Sequence, residues 1–231
     1  MLDAKFWERY FKVYDVLNLF IPYQELLEAI CRELDIKEGE KILEAGCGTG
    51  NLALKIKERR ADVEGLDNCK AALEIYKKKD HDAELVLADL TKKLPFLNNY
   101  FDKIACNNVL YAIPKDKQPS LISEFYRILK PGGKIVISNP KKGWKLYKIY
   151  IAGIRENFHR EGVVKSILKI FKLLIFAIKI LHYNHLIARE SEFYFFDIDE
   201  QNKLLIKAGF RNATNTELVY GEQSLLNSAV K

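Results

Sequence analysis

Apolar and polar positions change period several times along the chain, and each change marks an element. Behind Pro22, which suits the first turn of a helix, Leu26, Leu27, Ile30 and Leu34 recur at helical spacing. A short β-type run, Glu40-Lys41-Ile42-Leu43, leads into Glu44-Ala45-Gly46-Cys47-Gly48-Thr49-Gly50-Asn51, and a helical pattern covers Leu52 to Lys57. Further strands are predicted at 62–67, at 83–88, within Tyr100 to Leu110, and at 135–138, with helices between them. That alternation is the pattern of parallel βαβ units. Beyond it, a helix over 199–208 stops at Gly209-Phe210, and two last strands cover 214–220 and 225–230. The expected fold is α/β: a doubly wound, mostly parallel seven-stranded sheet with a helical insertion between strands five and six.

The insertion is roughly 55 residues of chain between the fifth strand and the 199–208 helix. Within it, Val163 to Leu181 reads as one helix. Lys165, Lys169, Lys172 and Lys179 share an arc of about 80°, with Phe176 the only large apolar residue among them. The rest of that cylinder is mostly apolar. Its longest uncharged run, Leu173 to Ile178, is far short of the ~20 residues needed to cross a bilayer. Three readings stand side by side: a helix lying on a membrane surface, a lid over an apolar pocket, or a helix buried against the domain or a second copy. The expected organisation is therefore one domain from 1–139 and 191–231, with a basic apolar insertion at 140–190.

Composition narrows the class. With 231 residues, 48% hydrophobic and 29% charged, the chain suits a soluble globular domain. The net charge of +6 is unevenly spread: residues 141–190 hold 11 Lys and Arg against 3 Asp and Glu, and the remainder is close to neutral. Any acidic partner is expected to meet the chain there. The start, Met1-Leu2-Asp3-Ala4-Lys5-Phe6-Trp7, lacks the pattern of a secretory leader. Cys31, Cys47, Cys69 and Cys106 form no C-x-x-C pair, so reduced thiols and a cytoplasmic location are expected. Cys47 reads as a small loop residue more readily than as a reactive thiol. No cluster of His, Cys or carboxylates has metal-ligand spacing, and no metal is expected.

The chemistry centres on the three alternate glycines, Gly46, Gly48 and Gly50. A strand, a glycine turn and a helix start together form the nucleotide-binding corner of a doubly wound sheet. The dinucleotide spacing would need glycine at 51, where this chain has Asn51. About 20 residues further on, Asp67 ends the second strand, where a carboxylate can accept hydrogen bonds from both ribose hydroxyls.

Four stretches in order, covering residues 40–139, resemble the class I S-adenosylmethionine (SAM)-dependent methyltransferases. They are the glycine loop, Asp67, the Leu94-Pro95-Phe96 lead-in with Tyr100-Phe101-Asp102, and Arg127-Ile128-Leu129-Lys130-Pro131-Gly132-Gly133. The overall pattern is most similar to the small-molecule type of ubiquinone and menaquinone biosynthesis. The Asn68-Cys69-Lys70-Ala71-Ala72-Leu73 stretch departs from that type's usual "S-x-x-M-L". The resemblance implies SAM as cofactor and S-adenosylhomocysteine as product. It implies Glu44, Gly46, Cys47, Gly48 and Asn51 around methionine and ribose, Asp67 on the ribose hydroxyls, and Asn68 on the adenine edge. It further implies Asp89 and Leu90 on the adenine, and Asn107 beneath the methyl group. Glu44 could instead simply cap the following helix.

The opening Phe6 to Asp15 resembles a segment that folds over the cofactor in such enzymes, which brings Tyr14 near the methionine end. Trp7 and Phe11 are expected to pack on the sheet. Tyr111 stands where many relatives have histidine, so the base is unassigned. Tyr14 and Tyr111 are the catalytic candidates, Tyr23 is a further polar group, and His159, His182 and His185 fall in the insertion. The N/D-P-P-Y/F motif of amino-methylating enzymes is absent after strand four, where Asn107-Asn108-Val109-Leu110 stands.

The expected function is methyl transfer to a small lipophilic acceptor that is quinone-, isoprenoid- or lipid-like. Peripheral contact with the inner face of the membrane is expected through 163–181. Two other readings are an RNA methyltransferase tracking phosphates with the insertion and a non-catalytic SAM-binding subunit of an oligomer. The aliphatic residues between the lysines weigh against nucleic acid.

Overall fold

The computed structural model of the protein describes residues 4–162, 178–190 and 192–231. An N-terminal helix α1 (Ala4–Tyr14), a 3-10 turn (Asp15–Leu19) and α2 (Ile21–Leu34) precede the sheet. Then come β1 (Lys41–Ala45), α3 (Asn51–Lys57), β2 (Asp62–Asp67), α4 (Lys70–Lys79), β3 (Glu84–Leu87), β4 (Phe101–Asn107), α5 (Gln118–Ile128) and β5 (Leu129–Pro140). The chain continues through α6 (Leu146–Glu161), α7 (178–189 among the described residues), α8 (Glu200–Lys207), β6 (Glu217–Val219) and β7 (Ser224–Val230).

The seven strands lie in the order β3-β2-β1-β4-β5-β7-β6. β1 to β5 run parallel, and β7 pairs antiparallel with both β5 and β6. The expected doubly wound sheet is present. Its middle strands are buried on both faces, as parallel strands between helices must be: Ile42, Leu43, Ile104, Ala105, Ile135 and Ile137 have no exposed surface. α2 enters at Pro22 and buries Leu26, Leu27, Ile30 and Leu34, while α5 buries Leu121, Ile122, Phe125 and Ile128. Both edge strands are short, which limits unpaired edge.

Two boundaries differ from the sequence expectation. β5 starts at Leu129, which pairs with Phe101, rather than at 135. The ladder then slips between Phe101 and Lys103, so Pro131-Gly132-Gly133 forms a bulge inside the strand rather than a stop before it. The expected strand at 214–220 reduces to Glu217–Val219. Thr214 meets β7 partly through side chains, its N–H donating to the Ser228 carbonyl while its hydroxyl accepts the Ser228 N–H, and Thr216 turns its hydroxyl to Asp199.

The insertion is tied at its base, where Lys141 bridges Phe196 and the Lys142 N–H donates to the Phe196 carbonyl at 2.8 Å. Its first element, α6, went unpredicted, because apolar residues lie on opposite sides of the cylinder and blur the period. Ile149 is buried, and Tyr150 packs edge-on against Phe20 at 5.5 Å, whereas Tyr147, Ile151 and Ile154 are exposed. The helix expected over 163–181 lies outside the described residues except for 178–181. There, Ile180 is buried and Ile178, Lys179 and Leu181 face out.

A buried amide chain locks α8 and β7 behind the end of β5. Asn139 accepts the Tyr111 N–H at 3.1 Å and donates to Gln201, which donates to Asn227, both at 2.9 Å. Asn227 in turn donates to the Thr214 carbonyl. All three amides are fully buried, so an orphaned partner keeps its full desolvation penalty. Gln201→Leu should destabilise the protein by about 1–3 kcal/mol for each amide left unpaired, read as a lower urea midpoint at unchanged slope.

Candidate active site

A cavity of about 640 Å³ opens at the C-terminal ends of the parallel strands. In sheets of this topology that is where the strand order reverses and a ligand finds a crevice. Glu44, Gly46, Cys47, Gly48, Asn51, Asp67, Asn68, Asp89, Leu90 and Asn107 all line it. So do Tyr14, Tyr23 and Tyr111. His159, His182 and His185 do not.

The loop after β1 turns sharply because its own backbone is held from β2. The Gly46 and Cys47 N–H groups both donate to the Leu66 carbonyl, at 2.7 and 2.9 Å. Asp67 then clamps the loop: one carboxylate oxygen accepts the Gly48 N–H and the other the Cys69 N–H, each at 2.8 Å. At Gly50, φ is +80°, and a Cβ would stand 2.3 Å from the Tyr76 ring. A Cβ at Gly46 (φ +76°) would stand 2.1 Å from Val109. Side chains are excluded at both positions on two independent grounds.

The electrostatics of the cavity are those of buried acceptors. Burial pushes the Glu44 carboxyl well up, with Asp67 adding to the rise and the Ala53 backbone N–H and Lys79 opposing it. Burial also raises Asp67, against the pull of the Cys69, Gly48 and Asn68 N–H groups. Asp89 is closer to solvent: burial works against its ionised form, but the Thr91 N–H and hydroxyl hold it below the usual range. Burial also pushes the Cys47 thiol up, with Glu44 and Asp67 adding to the shift, so that it stays protonated. Of the six buried side-chain oxygens without a hydrogen-bond partner among the described residues, three are Glu44 Oε2, Asn107 Oδ1 and Asn108 Oδ1. All three belong to residues lining this cavity, and all three are acceptors. Such a site suits a ligand rich in donors or positive charge.

The N-terminal segment forms one wall through a polar tie. Lys79 Nζ on α4 donates to the Thr49 carbonyl, to Asn51 Oδ1 and to Asp15 at 2.7–2.9 Å. Thr49 donates to the same Asp15, and Asn18 donates to Asn51 Oδ1 at 2.8 Å. Asn51 donates in turn to the Tyr23 hydroxyl at 3.5 Å, and Tyr23 donates to Tyr14 at 3.2 Å. Trp7 and Phe11, expected only to pack, line the cavity as well. α7 closes over this wall: Tyr10 donates to Asn184 at 3.2 Å, and Tyr183 packs on Phe6 and Tyr10. Tyr111 is stacked on Phe195 and set edge-on to Phe193. Burial pushes the phenols of Tyr14, Tyr23 and Tyr111 up.

Sequence reasoning missed Asn108, Trp144, Ile149, Asn184 and Tyr220 as lining residues. Asn108 was read as part of the strand. In the structure β4 ends at Asn107, and Asn108 takes φ +55°, a conformation asparagine tolerates better than most residues. The others come from distant segments, and nothing local marks them. Among the described residues no group of His, Cys or carboxylates could hold a metal ion.

Residues 42–133 match the family model described as a methyltransferase domain. The demethylmenaquinone methyltransferase of Oceanobacillus iheyensis is 30% identical over 140 residues, 56% of this chain and 58% of that protein. This chain thus spans little more than half of that relative's length. The demethylmenaquinone methyltransferase of Staphylococcus saprophyticus is 29% identical over 213 residues, 86% of this chain and 83% of that protein. A SAM-dependent methyltransferase from Aquifex aeolicus superimposes with a TM-score of 0.63 over 100% of this chain and 99% of its own, at 16% identity. At that identity the likeness is one of fold.

Two outcomes follow from the geometry. A raised carboxyl contributes stability below its ordinary range and loses it as pH rises through the raised value. Glu44→Gln, permanently neutral, should therefore melt above the unliganded wild type at pH 8, with the gap closing toward pH 5 in a thermal scan. Lys79→Met removes the hydrogen bond to Asp15 of the N-terminal wall and the two to Thr49 and Asn51 that hold the loop against it. Tryptic cleavage after Arg9 or Lys12 should accelerate at least tenfold, about 1.4 kcal/mol of local opening, with little change in Tm.

Proposed function

We propose that this chain, which belongs to the class I SAM-dependent methyltransferase family, binds SAM in this cavity and transfers its methyl group to a small lipophilic acceptor. The observation that carries the reading is the set of unpartnered acceptor oxygens, Glu44 Oε2, Asn107 Oδ1 and Asn108 Oδ1, in one buried cavity. An ammonium, a sulfonium and ribose hydroxyls are what such oxygens lack. SAM, when bound, supplies an activated methyl group on a sulfonium whose leaving group is a neutral thioether.

The chain's own residues have separate tasks. Asp67, with each oxygen already taking one backbone N–H, has lone pairs left for the ribose hydroxyls. Asn68, Asp89 and Leu90 receive the adenine. Glu44, Asn107 and Asn108 accept from the methionine end, and Gly46, Cys47, Gly48 and Asn51 shape the floor. Tyr14 and Tyr111 remain protonated at neutral pH and therefore donate hydrogen bonds to the acceptor rather than removing its proton. Aromatic walls exclude water, and rate comes mainly from holding the acceptor in line with the methyl group.

The lipophilic part rests on the rest of the lining: Trp7, Tyr10, Phe11, Trp144, Ile149 and Phe193. The two relatives are demethylmenaquinone methyltransferases, and we carry over that class of acceptor, apolar and quinone-like. Among the described residues no helix is long and apolar enough to cross a membrane. We place the protein at the cytoplasmic side, in peripheral contact with lipid.

Calorimetric titration with SAM and S-adenosylhomocysteine, followed by transfer of labelled methyl to a short-chain quinol and to bulk tRNA, tests the reading. Wild type should bind both nucleosides, and Asp67→Ala should bind at least ~30-fold more weakly, about 2 kcal/mol for the lost charged hydrogen bonds. Label on quinol supports the proposal. Label only on tRNA, or SAM binding without transfer to any extract, overturns it in favour of an RNA enzyme or a non-catalytic subunit.

A further inference from the structure

α6 has two faces of unlike chemistry. Its inner side is part of the fold: Ile149 is buried and lines the cavity, and Tyr150 packs on Phe20. Its outer side carries Tyr147 (55% exposed), Ile151 (60%) and Ile154 (42%), with the half-buried Phe158 in the same line. At about 100° per residue these four fall within an arc of about 60°. Lys148 and Arg155, both exposed, flank that arc on one side, and Lys145 stands at the helix start. Large apolar side chains in water on three successive turns are a cost that packing among the described residues does not explain.

The charge of the surroundings indicates what offsets that cost. The segment 141–190 holds 11 Lys and Arg against 3 Asp and Glu, while the rest of the chain is nearly neutral. A protein groove would be expected to offer a matching apolar stripe. A bilayer with anionic headgroups offers both halves at once, an apolar boundary for the isoleucines and negative charge for the flanking bases. Lys and Arg stems reach outward from such a helix while their heads stay at the headgroup level.

We infer that the outer face of α6, formed by Tyr147, Ile151 and Ile154 with Lys148 and Arg155, docks the protein on an anionic lipid surface. The inner face of the same helix is then a wall of the acceptor cavity, so docking sets that cavity against the layer in which an apolar acceptor dissolves. The significance of this placement rests on the lipophilic-acceptor reading, but docking itself does not require methyl transfer and is measured without it.

The test is flotation of the full chain with vesicles of phosphatidylcholine alone or mixed with phosphatidylglycerol, at low and high salt. Wild type should float with the anionic vesicles, less so at high salt, and hardly at all with the neutral ones. Lys148→Gln and Arg155→Gln should each weaken partitioning about fivefold, and Ile151→Asp with Ile154→Asp should abolish it. None of these side chains lines the cavity, so SAM affinity by calorimetry should match wild type and report an intact fold. Failure of wild type to float, or flotation undiminished in both sets of variants, overturns the inference. So does a dimer in solution that the Ile151→Asp, Ile154→Asp variant converts to monomer, which would make a second copy the occupant. Loss of SAM binding in wild type would instead strike the functional reading and leave the flotation result standing.

Discussion

Two carboxylates, Glu44 and Asp67, end adjacent parallel strands and face the same buried space, and much of the site's architecture answers to that constraint. An ionised carboxylate in an apolar interior is costly unless donors reach it. The turn after β1 supplies some of them by aiming the Gly48 N–H at Asp67, with Cys69 serving the other oxygen. That turn needs positive φ at Gly46 and Gly50 and close approach of Val109 and Tyr76. Glycine is thus required by the need to satisfy an acid as much as by the turn itself. What the loop leaves unsatisfied, Glu44 Oε2 with the two asparagine oxygens, defines the chemistry of the space.

The cover over this space is held by different physics from the sheet. The sheet is a packed apolar core. The N-terminal wall is instead pinned by Lys79, Asp15, Thr49, Asn18 and Asn51, a set of charged and amide hydrogen bonds that is only partly buried. Bonds of that kind hold geometry well and open at modest cost. The aromatic contacts between α1 and α7 then close the roof with surface that a ligand can also use. One residue, Asn51, belongs to both systems: it lines the cavity and anchors the wall.

The described parts of the insertion between β5 and α8 are packed on the domain that holds the sheet. Lys141 and Phe196 tie its base, α6 packs on α2, and α7 reaches α1. Trp144, Ile149 and Asn184 therefore reach a cavity whose floor is built from residues a hundred positions earlier. The exposed side of α6 is the complement of that arrangement: a helix that must bury one face against α2 still carries apolar residues on its other face.

The chain's local pattern determined the alternation of strands and helices, the glycine turn and the acidic strand ends, because each depends on neighbours within a few residues. Period, turn chemistry and the φ demanded of a glycine are short-range properties. The glycine turn and Asp67 are legible that way; Asn68, the β3 end and Asn107 are implied by the family resemblance those motifs carry, and all ten positions line one cavity. Only the tertiary structure decided the rest. It set which acceptor oxygens stay unpaired, that Trp7 and Phe11 line the cavity, and that α6 turns one apolar face outward. Each of those depends on what is packed opposite, often more than a hundred residues away in sequence, and burial of a charge or a ring has no local signature.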